Sequence, residues 1–333
     1  MCAEHKSVTP TIAEDEQEKK AFQFFHKAVA CHQQNQLDKA LSLYRQAISL
    51  KPDYADAYNN MAVALRKLNH YEAALSCYQR SLAIRPNHAG TYSNMGNVLN
   101  DLDRLTPSIR AHYKAIELEP HNLLYLYNAA LVLRDGAKYE DAISLFNQIL
   151  DKDPEYKDCR WDRSLTYLMS GQLRAGFQEY DSRWLLAKNP PRAFKQPRWQ
   201  GDNLNGRTLF IHREQGFGDA IQFSRFIPEI KKRFGGKIIL ECQPELLRLF
   251  STLDDVDLLV PYGKKPPAFD CWIPLLSLGE IFQLDEKSIP NTTPYLSAPK
   301  PNRFKLHTKK GNTLNVGIVW AGSPTHQNDR RRS

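Results

Sequence analysis

An aspartate closing a glycine turn, Glu214-Gln-Gly-Phe-Gly-Asp219, is the first residue placed to do chemistry. The turn follows a short apolar run, Thr208-Leu-Phe-Ile-His212, and precedes Ile221, Phe223, Phe226 and Ile227 at helical spacing. That order reads as strand, glycine turn, helix. A carboxylate there has two uses. It can cap the helix, or it can exchange a proton with a ligand seated beyond the carboxyl end of the strand, where open α/β sheets bind ligands. Gln215, Gly216 and Gly218 form the rest of the turn. Glycine permits close backbone approach, and a helix N-terminus favours anions such as a diphosphate. A second set is Asn60, Asn94 and Asn128, evenly spaced along the chain. An amide offers one acceptor and two donors, which can bond an extended peptide backbone or the neighbouring helices. A third set, Ser323, His326, Asn328 and Arg330, lies in the last residues. Its arginine can pair with phosphate in a cleft, or the segment is a solvated tail.

The elements that position the asparagines come from an internal repeat. Pro52, Pro86, Pro120 and Pro154 recur at the same step as the asparagines. That step also links Ala28, Ala62, Gly96 and Ala130, then Ala40, Ala74, Ser108 and Ala142. It links Tyr44, Tyr78, His112 and Phe146, and Leu37, Tyr71, Leu105 and Tyr139. Small residues let two helices cross closely, the aromatic fills the gap to the next pair, and proline ends the second helix. This pattern resembles the tetratricopeptide (TPR) repeat, a helix–turn–helix unit of about 34 residues that stacks into an α-solenoid. Four full repeats are expected at 21–54, 55–88, 89–122 and 123–156, with a degenerate fifth from 157 to about 184. The ladder is interrupted by His26 in the first repeat and Asp162 in the fifth.

Composition narrows the classes. The chain has 333 residues, 42% hydrophobic and 25% charged, which suits a soluble protein of two or three folding units. No apolar run reaches membrane-spanning length. The net charge of +8 is not gathered into a basic stripe with interleaved aromatics, so nucleic-acid binding is not expected. Six scattered cysteines show no metal-binding spacing and read as reduced thiols, which points to the cytoplasm. No metal or other cofactor is implied.

After Trp184 the helical period ends. Asn189-Pro-Pro191 and Gln196-Pro197 read as a linker. Strands are expected at 208–212, 237–242, 257–260 and 269–274, with helices at 244–250 and 277–283. Such alternation predicts a parallel, Rossmann-like sheet with helices on both faces. A further strand is expected at 314–320. The organisation expected is therefore a disordered leader 1–20, a solenoid 21–184, a linker 185–205, an α/β lobe 206–300, and at 301–333 a linker with the first strand of a truncated second lobe.

Four runs carry a second resemblance. They are Pro197-Arg-Trp-Gln-Gly201, His212-Arg-Glu-Gln-Gly-Phe-Gly-Asp-Ala-Ile-Gln-Phe-Ser-Arg225, Pro274-Leu-Leu-Ser-Leu278, and Val319-Trp-Ala-Gly-Ser-Pro-Thr-His-Gln-Asn-Asp-Arg-Arg-Arg-Ser333. Together they look like bacterial TPR proteins with a C-terminal glycosyltransferase domain similar to the heptosyltransferases, which have the GT-B fold of two Rossmann-like lobes. The layout is also similar to that of the O-GlcNAc transferases, whose asparagine ladder holds extended polypeptide. The resemblance implies a protein or peptide partner in the groove, a nucleotide sugar as donor substrate, and Asp219 as general base. It departs from the family in lacking most of the second lobe. A non-catalytic binding module with a relic lobe stands beside the transferase reading.

Overall fold

The computed structural model describes residues 12–186 and 190–297. The residues 323–330 singled out above, the strand expected at 314–320 and the leader up to residue 11 lie outside them. Five antiparallel helix pairs come first: α1 (Ile12–Gln33) and α2 (Leu37–Leu50), α3 (Ala55–Lys67) and α4 (Tyr71–Ile84), α5 (Ala89–Asp101) and α6 (Leu105–Leu118), α7 (Leu123–Asp135) and α8 (Tyr139–Lys152), α9 (Lys157–Met169) and α10 (Leu173–Glu179). Helix α1 begins at Ile12, so the last part of the leader expected to be disordered is helical.

The repeat columns do the packing expected of them. Ala28, Ala62, Ala130, Ala40, Ala74, Ala142, Tyr44 and Phe146 are fully buried. The third repeat departs from the pattern. Gly96 and His112 occupy the small and aromatic columns, and a Cβ on Gly96 would meet the His112 ring at 2.6 Å. Ser108 is buried and its hydroxyl donates to the Gly96 carbonyl at 2.7 Å. The glycine therefore makes room for an imidazole, and the serine satisfies the carbonyl exposed beside it. Neither ring nitrogen of His112 has a hydrogen-bond partner among the described residues.

A 3-10 turn (Tyr180–Leu185) leads to four parallel strands, β1 (Thr208–His212), β2 (Lys237–Cys242), β3 (Leu258–Pro261) and β4 (Cys271–Pro274), in the order β3-β2-β1-β4. Register pairs Leu209 with Ile238 and Cys271, and Phe210 with Ile239 and Trp272. Strands β1 and β2 have the extents expected from sequence; β3 and β4 are shifted or shortened by one or two residues. Between the strands lie α11 (Phe217–Ser224), α12 (Ile227–Phe234), the short α13 (Leu247–Phe250) and, after β4, α14 (Leu278–Ile281).

Helices cover one face only, which corrects the expectation of helices on both. On that face Leu209, Ile211, Ile238, Leu240 and Ile273 pack with Phe223, Ile227 and Ile230 from α11 and α12. The other face carries Phe210, Ile239 and Val260, with Phe194, Phe269 and Trp272 packed against them. Topology explains this. The steps from β1 to β2 to β3 run one way across the sheet, and the step to β4 reverses. Right-handed crossovers put that last connection on the opposite face, and residues 262–270 that make it contain no helix.

The expected linker is not a spacer. Phe194 stacks edge-on with Phe210, and Trp199 and Leu204 are buried in the α/β core. The solenoid end joins the same core through Phe177 and Tyr180, with Trp161, Leu165 and Leu168 packed alongside. Gly279 of α14 makes this possible, because a Cβ there would lie 2.3 Å from the Phe177 ring. No described helix is long and apolar enough to cross a membrane. Cys31, Cys77, Cys159, Cys242 and Cys271 are buried free thiols.

Burial pushes the pKa of both His112 and His212 down to about 4. In the unfolded chain an imidazole titrates near ~6.5. Between these values the unfolded chain binds more protons, so stability is full above pH ~6.5 and falls as pH drops toward ~4. Replacing His112 with Phe, the residue of the fourth repeat, should remove its share, on the order of 3 kcal/mol at the acid end. Urea denaturation of the two proteins at pH 7 and pH 4.5 checks this: the gap between the two pH values should narrow in the variant.

Candidate functional site

The asparagine ladder lies along the first helices of the second, third and fourth repeats. The Asn94 amide donates to Asn59 Oδ1 at 3.4 Å, and the Asn128 amide donates to Ser93 Oγ at 3.1 Å. Asn60 Oδ1 accepts from the adjacent Asn59 amide at 3.2 Å. Asp162, the fifth member of the column, accepts from Tyr127 Oη at 2.5 Å and pairs with Arg134 at 2.6 Å. Burial and the Asp162 charge push the Tyr127 phenol up, so it stays a donor.

The Asn59–Asn94, Ser93–Asn128 and Tyr127–Asp162 bonds join residues 35 apart, one more than the repeat. The same offset links Arg66 to Asp101 at 2.6 Å and Asn100 to Asp135 at 3.2 Å. Each first helix is thus shifted by one position against the previous one, and two hydrogen-bonded columns run along the solenoid. The interhelical role considered for the asparagines is therefore real. It uses one N–H of Asn94 and one of Asn128, while each amide has a second N–H and a carbonyl oxygen to offer. Sequence reasoning missed Asn59, Ser93 and Tyr127, the other half of the ladder. A search for polar pairs at an offset one position longer than the repeat finds them.

The second set sits at the carboxyl end of β1. Asp219 Oδ2 accepts the Gly216 N–H at 3.1 Å, so it caps the first turn of α11. The strained position of the turn is Gln215, at φ +34, and not a glycine. Its side-chain amide donates to Tyr180 Oη at 3.0 Å, and its carbonyl accepts from Gln243 at 3.2 Å and Arg213 at 3.1 Å. These bonds hold a non-glycine residue in the left-handed region. A Cβ on Gly218 would meet no atom within 4 Å. Phe217 is half exposed beside it, and the Arg213 guanidinium lies 4.0 Å from the Tyr262 ring centre. The turn places Gln215, Gly216, Gly218 and Asp219 together beyond the carboxyl end of the interior strand β1.

Behind the turn is a network that sequence reasoning did not identify. Arg183, only 2% exposed, comes from the end of the solenoid. Its Nε and Nη2 donate to the two oxygens of Glu214 at 2.9 and 3.0 Å. Nη2 also donates to Ser277 Oγ at 2.9 Å, and Nη1 to Asp181 Oδ1 at 2.6 Å and the Tyr180 carbonyl at 3.0 Å. Glu214 further accepts the Leu276 N–H at 3.0 Å. Arg183 therefore bridges the loops after β1 and β4, the neighbours at which the strand order reverses. Burial pushes the Glu214 carboxyl up against the pull of Arg183. Asp181 is also desolvated, but Arg183 and Arg198 hold its carboxyl below the usual range. On the helix-free face, Glu241 is fully buried and accepts from Arg192 at 2.5 Å and the Arg213 N–H at 3.2 Å. Among the described residues no group of three or more His, Cys, Asp or Glu is placed to hold a metal ion.

Comparison with known proteins supports the repeats. Family models described as TPR repeat match residues 29–69, and as tetratricopeptide repeat residues 55–88 and 110–193. The N-terminal region is a TPR α-solenoid. Protein FlbA of Caulobacter vibrioides is 27% identical over 181 residues, covering 47% of this chain and 30% of FlbA. The match thus spans less than a third of that relative. Among solved structures, residues 41 to the end of MamA from Desulfovibrio magneticus are 17% identical, with a TM-score of 0.47, covering 52% of this chain and 98% of that one. YrrB, described as a TPR protein with an unusual peptide-binding site, is 19% identical, with a TM-score of 0.45 and coverage of 54% and 92%.

The buried pair gives a test of the junction. Arg183→Ala leaves Glu214 buried without its counter-charge and should cost on the order of 3–5 kcal/mol. Changing Arg183 to Met and Glu214 to Leu together should cost much less, because Glu214 is no longer stranded and Asp181 keeps Arg198 as its counter-charge. Urea denaturation of the single and double variants, followed by circular dichroism, reads the difference. A double variant as unstable as the single one rules out the stranded charge as the cause.

Proposed function

We propose that this chain is a TPR interaction protein whose groove binds an extended segment of a partner polypeptide through Asn60, Asn94 and Asn128. The observation that carries this reading is the hydrogen-bonded column that joins successive first helices. It fixes Asn94 and Asn128 by one bond each to the preceding first helix, while Asn60 is held by Asn59 beside it, and it leaves further donors and acceptors along the first helices. A backbone-directed ladder of this kind holds a chain without reading its side chains. The run is short, because Asp162 is closed by Tyr127 and Arg134 at one end and His26 replaces asparagine at the other. The buried thiols fit a reducing compartment such as the cytoplasm.

A second reading makes the α/β unit the first lobe of an inverting nucleotide-sugar transferase, with Asp219 as its base. What favours it is the parallel strand followed by the glycine turn, with the helix N-terminus and Asp219 at the sheet's carboxyl edge. The N-terminal capping bond of Asp219 serves the non-catalytic form of the protein equally well. In that form the lobe is a relic that ends the solenoid.

The two readings separate experimentally. A displayed library of random dodecapeptides, selected on the protein, should yield binders that lose roughly 10- to 1,000-fold in affinity when all three asparagines become alanine, at about 0.5–1.5 kcal/mol per hydrogen bond. Unchanged affinity of every selected peptide would falsify the groove assignment. For the transferase reading, titration with uridine- and adenosine-diphosphate sugars should show saturable binding, and Asp219→Asn should abolish transfer while leaving that binding in place.

A further inference from the structure

The third repeat also departs from its neighbours on the side away from the ladder. On α5, Tyr92 and Leu99 lie roughly 140–160° around the helix from Asn94, and Met95 roughly 100°. With Leu75 of α4 they wall a cavity of about 460 Å³ between α4, α5 and α6. The cavity floor reaches Ala111 of α6. At the repeat step this column reads Leu43, Cys77, Ala111, Leu145, so the third repeat has its smallest member. The preceding column reads Ser42, Ser76, Arg110, Ser144. One arginine thus stands at the cavity mouth where the other three repeats have serine.

The rim is basic. Arg104 pairs with Glu72 at 2.5 Å and Lys114 with Glu117 at 2.7 Å, both on the exposed surface. Arg110 is exposed and has no acidic partner among the described residues. An apolar cavity under a free guanidinium is complementary to an apolar side chain flanked by carboxylates. Stacking of repeats does not call for either departure, since leucine or cysteine packs at the equivalent of position 111 in the other repeats and serine suffices at that of 110.

We propose that this cavity is a second peptide-docking site, on the opposite side of the solenoid from the asparagine ladder, for an acidic segment bearing a bulky apolar residue. The apolar side chain fills the space that Ala111 leaves, and a neighbouring carboxylate pairs with Arg110. Arg104 and Lys114 are paired with Glu72 and Glu117, which leaves Arg110 as the rim charge that meets the segment's carboxylate.

The probe is a fluorescein-labelled peptide, Glu-Asp-Leu-Phe-Asp-Glu, with a Lys-flanked version as control, read by fluorescence polarisation. Two substitutions come from the protein's own repeats, so both suit the fold: Ala111→Leu fills the cavity and Arg110→Ser removes the charge. Circular dichroism and the melting temperature confirm folding. The acidic peptide should bind saturably and weaken as salt rises, each substitution should cost roughly tenfold or more, and the triple asparagine variant should bind as the wild type does. The proposal is overturned if the acidic peptide does not bind, if the Lys-flanked peptide binds equally, or if folded Ala111→Leu keeps full affinity. Loss of binding in the asparagine variant alone would place the peptide in the groove and equally refute the second site.

Discussion

A guanidinium does not deprotonate inside a protein, so an arginine that is 2% exposed must find acceptors for its N–H groups within the fold. Arg183 finds them in Glu214, Asp181, Ser277 and the Tyr180 carbonyl. These acceptors lie in three places: the end of the solenoid, the loop after β1 and the loop after β4. Meeting one side chain's requirement therefore fixes the distance and angle between the repeats and the sheet. Glu214 is fixed in turn, since its second oxygen also takes the Leu276 N–H. The glycine turn that follows Glu214 begins from a pinned residue, and Gln215 is held on its other side by Tyr180. The position of Asp219 is thus set by the last turns of the solenoid as well as by its own helix.

The apolar side of the junction points the same way. A solenoid must cover the outer face of its last repeat, and polar capping helices are the usual answer. Here the last repeat keeps an apolar face, with Trp161, Leu165, Phe177 and Tyr180, and the α/β unit covers it. The sheet's own helices, α11 and α12, pack on that same side. The repeats serve as one layer of the α/β unit, and the sheet serves as the solenoid's cap. The last repeat and the sheet share one core, while the earlier repeats have cores of their own.

Much of this could be read from residue spacing because the governing forces are local or periodic. Columns at the repeat step report helix crossings, and the apolar runs 208–212 and 237–242 report strands buried on both faces. What could not be read depends on contacts between distant segments. Pro190 and Pro191 mark a break in helical period, but nothing local says that Phe194 then packs on Phe210 or that Trp199 enters the core. Strand order is not local either, so the helix-free second face followed only once β4 was placed beside β1. Glu214 looked like part of a turn; its role depends on an arginine 31 residues earlier. The ladder was half legible for a similar reason. The sequence repeats at one step, but the superhelix pairs side chains one position beyond it, and only three dimensions supply that extra position.

The departures in the third repeat divide into two kinds. Gly96, Ser108 and His112 explain one another: the glycine makes room for the imidazole, and the serine caps the glycine's carbonyl. They form a closed exchange within the core, at the cost of two ring nitrogens without partners among the described residues. Arg110 and Ala111 have no such reciprocal change. No neighbour grows to fill the space over Ala111, and no acid has appeared opposite Arg110 among the described residues. Terminal repeats depart from the pattern because one face stops stacking, but this repeat is interior and stacks on both sides. Compensated changes are what drift within a packed core leaves behind. Uncompensated ones, a cavity and a charge side by side at the surface, have no complement among the described residues, which is what the proposed acidic segment supplies.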